Sequence, residues 1–201
     1  MKKIRSCVPW IAFFAVMAVF VMTPSIFAAT STEGKKNLLV LGTEAPDFAL
    51  PDVVTGEVVS LNDFKDADAL LVVILCRHCP YVKHIRSDLV KFGKDYADRR
   101  LAIVGISAND PVAFPDDSPA SLKEMAVSEG FTFPILFDEK QDVARAYTAV
   151  ATPDFFLFDK DRKLVYRGQY DDARPGSKTP VSGKDLRAAV DAVLAGEPVP
   201  A

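Results

Sequence analysis

The chain has 201 residues, with 24 basic and 27 acidic side chains, two His and three Cys, for a formal net charge of −3. At 49% hydrophobic and 25% charged it is globular rather than disordered. A mildly acidic chain with no basic block excludes an electrostatic nucleic-acid binder, and no solenoid-type period is present.

Lys2, Lys3 and Arg5 open the chain, an apolar run covers 8–22, and Pro24 and Ser25 lead into Phe27-Ala28-Ala29. That order predicts a secretory signal peptide over 1–29, cleaved after Ala28 or Ala29. The apolar run is too short for the ~20 residues that span a bilayer. The expectation is therefore export, to the periplasm, with no stable membrane insertion after cleavage; an uncleaved anchor is the rival. Cys7 leaves with the leader, so Cys76 and Cys79 remain in an oxidising compartment.

Residues 30–44 read as a polar linker and 45–197 as one domain. Short strands are predicted at 48–50 and 58–61 around a Thr55-Gly56 turn. The continuous apolar run ALLVVIL over 69–75 fits a strand buried on both faces. A helix is predicted to start at the cysteine motif, because Val82, Ile85, Leu89, Phe92 and Tyr96 repeat at helical spacing. A second buried strand covers 101–107. A loop rich in Pro and Asp, 108–117, leads to a helix with Ser118 as N-cap, Pro119 in its first turn and Gly130 as its stop. Strands at 133–137 and 155–158 flank a short helix at 141–147, and a turn at 159–162 leads into a strand over 163–170. Ser182 is predicted to cap a last helix ending at Gly196. Apolar strands alternating with helices give an α/β three-layer sandwich.

Cys76-Arg77-His78-Cys79 carries the chemistry. Two cysteines this close enclose too small a loop to staple a fold, so the pair reads as reactive. Cys76 is expected to be the exposed thiolate that attacks a partner disulfide. Cys79, one helical step deeper, then attacks the mixed disulfide and releases the partner. Arg77 and His78 are expected to favour the Cys76 thiolate by charge and hydrogen bonding. His84, between Lys83 and Arg86, reads as a solvated residue on the outer helix face. Pro80 rules out C-x-x-C-H haem attachment, and two sulfurs are too few for structural zinc. No cofactor and no resident metal is implied.

With APDFALPD, CRHCPYVKHI, TPDFFLFD and DDARPG in place, the chain resembles exported thioredoxin-like proteins of the peroxiredoxin-like (AhpC/TSA, redoxin) family from about Gly42 to Val199. The resemblance implies a thioredoxin-like fold, a mixed sheet flanked by helices with an inserted helix before a cis-proline. Thr152-Pro153 matches that proline and would face the cysteine pair and a substrate segment. It implies a thiol-disulfide oxidoreductase acting on protein disulfides or dithiols, with electrons exchanged through a membrane thiol-redox donor. Three departures stand out. Ala151 replaces a cysteine found in relatives before the Thr-Pro pair. The strand before the motif has no buried acid, Asp68 lying only at its start. Neither Cys76 nor Cys79 carries the P-x-x-x-[ST]-x-x-C pattern of peroxidatic sites, which disfavours the alternative of a thiol peroxidase. A second alternative is a copper(I) carrier using both sulfurs and His84. Asp171, Asp172, Arg174 and Pro175 form the family's signature loop, read by default as a solvated turn.

Overall fold

The computed structural model describes residues 38–200, so the expected signal peptide and the first part of the expected linker lie outside the described residues. The run 69–75 becomes β3 (Ala69–Ile74), and all six of its residues are buried. Its flatly apolar sequence is explained by its place at the centre of a five-stranded sheet of order β5-β4-β3-β6-β7. β4 (Leu101–Ser107) and β5 (Ile135–Phe137) run parallel to it, β6 (Asp154–Phe158) runs antiparallel to it, and β7 (Leu164–Gly168) is antiparallel to β6 and so points the same way as β3. A separate hairpin of β1 (Ala49–Pro51) and β2 (Val58–Ser60) surrounds the predicted turn, with Gly56 at φ +78°.

Alternation along β3 divides the core in two. Leu71 and Val73 face α1 (Pro80–Asp95), α2 (Pro119–Glu129) and α4 (Lys184–Ala195), where Leu89, Phe92, Leu122, Met125, Leu186 and Val190 are buried. Leu70, Val72 and Ile74 pack on the other face with Phe156, Phe158 and Tyr147, the last just after α3 (Asp142–Ala146). Each such fully buried side chain contributes about 1.5–3 kcal/mol of transfer free energy. The α/β mixed sheet with helices on both faces is the predicted architecture.

Elements with strong local signals fall where the sequence puts them. β4 covers the predicted residues, and α2 has Ser118 accepting the Ser121 amide at 3.3 Å, Pro119 at its start and Gly130 left-handed at φ +76°. Several expectations need correction. Residues 42–44, assigned to the linker, are part of the domain: the Gly42 amide donates to the Leu164 carbonyl, and Glu44 bridges to Lys163. The last helix is not capped by Ser182; its N-cap is Gly183, left-handed at φ +63°.

The third correction matters most. α1 begins at Pro80, not at Cys76, and its N-cap is Cys79 with φ −59° and ψ 127°. Proline favours the first helical position and pushes the residue before it out of the helical region, so the whole Cys76–Cys79 segment stays outside the helix.

The Asp171 loop is also not a solvated turn. Asp171 is 1% exposed, and its carboxylate accepts the amides of Ala173 (2.9 Å), Ser182 (2.7 Å) and Gly183 (2.7 Å). Burial alone would raise this carboxyl. The amides and the nearby Arg174 charge outweigh burial and hold it below the ordinary carboxylate range. The signature loop is thus a clasp tying 171–173 to the entry of α4. Replacing Asp171 by Ala orphans three backbone donors, two of them buried, and is expected to cost about 2–4 kcal/mol. Urea unfolding measures the loss, and amide exchange in 173–183 should accelerate; a loss under ~1 kcal/mol would contradict the clasp.

Candidate functional site

β3 and β4 are parallel neighbours, so the loops at their C-terminal ends, 75–79 and 108–118, meet at one edge of the sheet. Thr152 and Pro153 reach the same edge just before β6, joined by a cis peptide as the family resemblance implies. Thr152 touches both sulfurs. Its hydroxyl lies 3.3 Å from Cys76 Sγ, and its carbonyl accepts from Cys79 Sγ at 3.1 Å.

The exposure of the two cysteines is the reverse of that predicted. Cys76 is fully buried, whereas Cys79 is half-buried and lines an open cleft of about 450 Å³ together with His78, Asn109, Phe114 and Thr152. The physical reason is the late helix start. Cys76 lies two residues past the buried central strand, while Cys79 occupies the N-cap at the rim of the cleft.

The expected tuning of Cys76 by Arg77 and His78 is also corrected. Arg77 turns its guanidinium to the Ser121 carbonyl (2.9 Å) and Glu124 (2.8 Å). Burial pushes the Cys76 thiol up, reinforced by the Asp117 charge; the Thr152 hydroxyl and the Cys79 amide oppose this without reversing it.

Asp117 is the residue that sequence reading missed. It sits in a short 3-10 turn, Pro115–Asp117, and is fully buried. One carboxylate oxygen accepts the amides of Arg77 (2.7 Å) and His78 (3.1 Å), and the other accepts Asn109 Nδ2 (2.7 Å) and pairs with His78 Nδ1. The imidazole of His78 stacks on Phe114 at 4.6 Å. The only signal available was indirect: a polar residue in the loop after a parallel neighbour of the motif strand.

Cys76 Sγ, a ring nitrogen of His78 and a carboxylate oxygen of Asp117 all lie within 4.8 Å of one another. As a metal site this trio fits poorly, because both oxygens of Asp117 are already committed to hydrogen bonds. Asp68 is remote in role. It is half-exposed at the start of β3 and paired with Arg100 at 2.7 Å, so it serves neither sulfur. His84 is not simply solvated: its Nε2 is buried with no hydrogen-bond partner among the described residues, and it lines a cavity of about 270 Å³ with Tyr81 and Pro153.

Residues 41–167 match the AhpC/TSA family. The chain belongs to that family. A structure of a hypothetical protein from Sinorhizobium meliloti 1021 is 51% identical, with a TM-score of 0.80 over 82% of this chain and 89% of that one. The thioredoxin domain of a thiol-disulfide oxidoreductase from Bacteroides vulgatus is 25% identical, with a TM-score of 0.56 over 67% of this chain and 91% of that one. The thiol-disulfide oxidoreductase ResA of Bacillus cereus is 24% identical over 137 residues, 65% of this chain and 70% of that protein. This AhpC/TSA protein is therefore a thioredoxin-like oxidoreductase with a redox function.

Proposed function

We propose that the protein is an exported thiol-disulfide oxidoreductase, exchanging disulfides with protein partners through Cys79 and Cys76. The observation that carries this reading is the pairing of one accessible and one buried sulfur on the two sides of Thr152. An accessible thiol at a helix N-terminus is placed to attack a disulfide, and a neighbouring thiol shielded from solvent is placed to resolve the product. The roles are thus the reverse of those read from the sequence. Cys79 attacks, and Cys76 releases the partner. The cleft beside Thr152 and the cis Pro153 is where an extended protein segment would lie. The leader-like sequence of 1–29 supports a periplasmic setting, where a membrane thiol-redox donor would reset the pair.

The test compares two oxidants. Fully reduced protein is mixed rapidly with a peptide disulfide or with hydrogen peroxide, and loss of thiol is followed. The peptide disulfide is expected to react far faster than with a free thiol at matched ionisation, and peroxide at a rate close to that of a free thiol. Fast peroxide consumption with slow disulfide exchange would replace this reading with a peroxidase.

A further inference from the structure

A resolving thiol must lose its proton before it can attack, and Cys76 is badly placed to lose one. It is fully buried, and burial pushes its thiol up. The strand that delivers it is wholly apolar, and Asp68 at the far end of that strand is paired with Arg100. The acceptor has to come from outside that strand.

Asp117 is near enough but unsuited. Burial alone would raise its carboxyl, yet the hydrogen bonds from Asn109, the His78 ring and the amides of His78 and Arg77 hold it below the ordinary range. An ionised carboxylate that already accepts from four donors is a weak base and has no proton to give. Facing an ionised carboxylate, Nδ1 is the nitrogen that donates to Asp117, and in the neutral ring Nε2 is then the nitrogen with the free lone pair. Stacking on Phe114 restrains the ring, whose side chain remains 33% exposed to solvent while one of its nitrogens lies within 4.8 Å of Cys76 Sγ. The charged and titratable groups around this imidazole are Asp117 from the 3-10 turn, Cys76 and Cys79 from its own loop, Arg77 turned to Glu124 of α2, and Arg145 of α3 in the same cleft.

We propose that His78 is the proton carrier for Cys76 in the second half of the exchange, and that Asp117 is the residue that positions it; this deepens the exchange reading of the same site. Once Cys79 has joined the partner sulfur, the Cys76 S–H gives its proton to His78 Nε2, directly or through one water. The Cys76 electron pair forms the Cys76–Cys79 bond. The bond between Cys79 and the partner breaks, its electron pair leaves on the partner sulfur, and that thiolate takes the proton from the imidazolium. The protein pair is oxidised and the partner disulfide is reduced.

The test mixes the reduced full chain with one equivalent of dithiobis(nitrobenzoate) and follows release of the coloured thiolate. The first burst reports attack by Cys79, and the second reports closure by Cys76. In His78→Ala the ratio of second to first rate should fall about tenfold or more, the expected scale for loss of a general base. Its remaining second phase should rise more steeply with pH than the wild type's, and free imidazole should restore the rate. Asp117→Asn should slow the second phase as well. An unchanged ratio in a folded His78→Ala protein overturns the proposal, as does a slowed phase that imidazole fails to restore. Absence of the first burst in the wild type would instead overturn the exchange reading itself.

Discussion

Replacing Cys79 by Ser is expected to reduce disulfide exchange to the rate of buffer alone, while Cys76→Ser should keep the first attack and accumulate mixed disulfides with partner proteins. The first Cys of a C-x-x-C pair is ordinarily taken as the attacker, so the expectation here is reversed for a structural reason. Cys76 follows the buried strand and has no exposed surface, and burial pushes its thiol up. Cys79 lines the cleft at the N-cap of α1, with its sulfur on the Thr152 carbonyl. Non-reducing electrophoresis of cell extracts, followed by mass spectrometry of the trapped species, reads the result. Trapped partners on Cys79→Ser and none on Cys76→Ser would restore the opposite assignment.

Asp117→Ala is expected to be the most destabilising single change at the site, by about 3–5 kcal/mol at neutral pH. It removes a fully buried carboxylate and orphans four part-buried donors: two backbone amides, the Asn109 amide group and the His78 ring nitrogen. At roughly 2–4 °C per kcal/mol for a domain of this size, the melting temperature should fall by about 10 °C. The pH dependence carries a sign. The folded carboxyl is depressed below its unfolded value of about 3.9, so its stabilisation is complete above that value and is lost as pH falls through the depressed folded one. The gap between wild type and variant should therefore be widest at neutral pH and shrink below about pH 4. Urea titrations at neutral and acid pH check this; a gap that stays constant with pH would mean that the carboxylate charge is not what holds the loop.

Local sequence signals were enough for much of this molecule. The apolar run at 69–75 fits a strand covered on both faces, and Ser118, Pro119 and Gly130 set the two ends of α2 by capping chemistry that acts within one turn. The cis Thr152-Pro153 bond came through the family resemblance, which the match over 41–167 supports. The late start of α1 was in principle legible too. Pro80 both permits a first helical turn and forbids a helical residue before it. The regular apolar spacing from Val82 onward hid that signal, because periodicity marks a helix's face better than its ends.

The sequence by itself determined the sheet's central strand, the alternation that makes the sandwich, and the presence of a reactive cysteine pair, since each depends on residues close together in the chain. Only the tertiary structure decided which sulfur meets solvent, that Arg77 turns to Glu124, and that Asp117, 40 residues from Arg77, clasps the motif. Asp171 belongs with these, binding amides 11 and 12 residues away. Burial and hydrogen-bond partnership are properties of what surrounds a group in space. A buried carboxylate takes its meaning from donors that the fold brings to it, and nothing in its own neighbourhood along the chain distinguishes it from the solvated aspartates beside it.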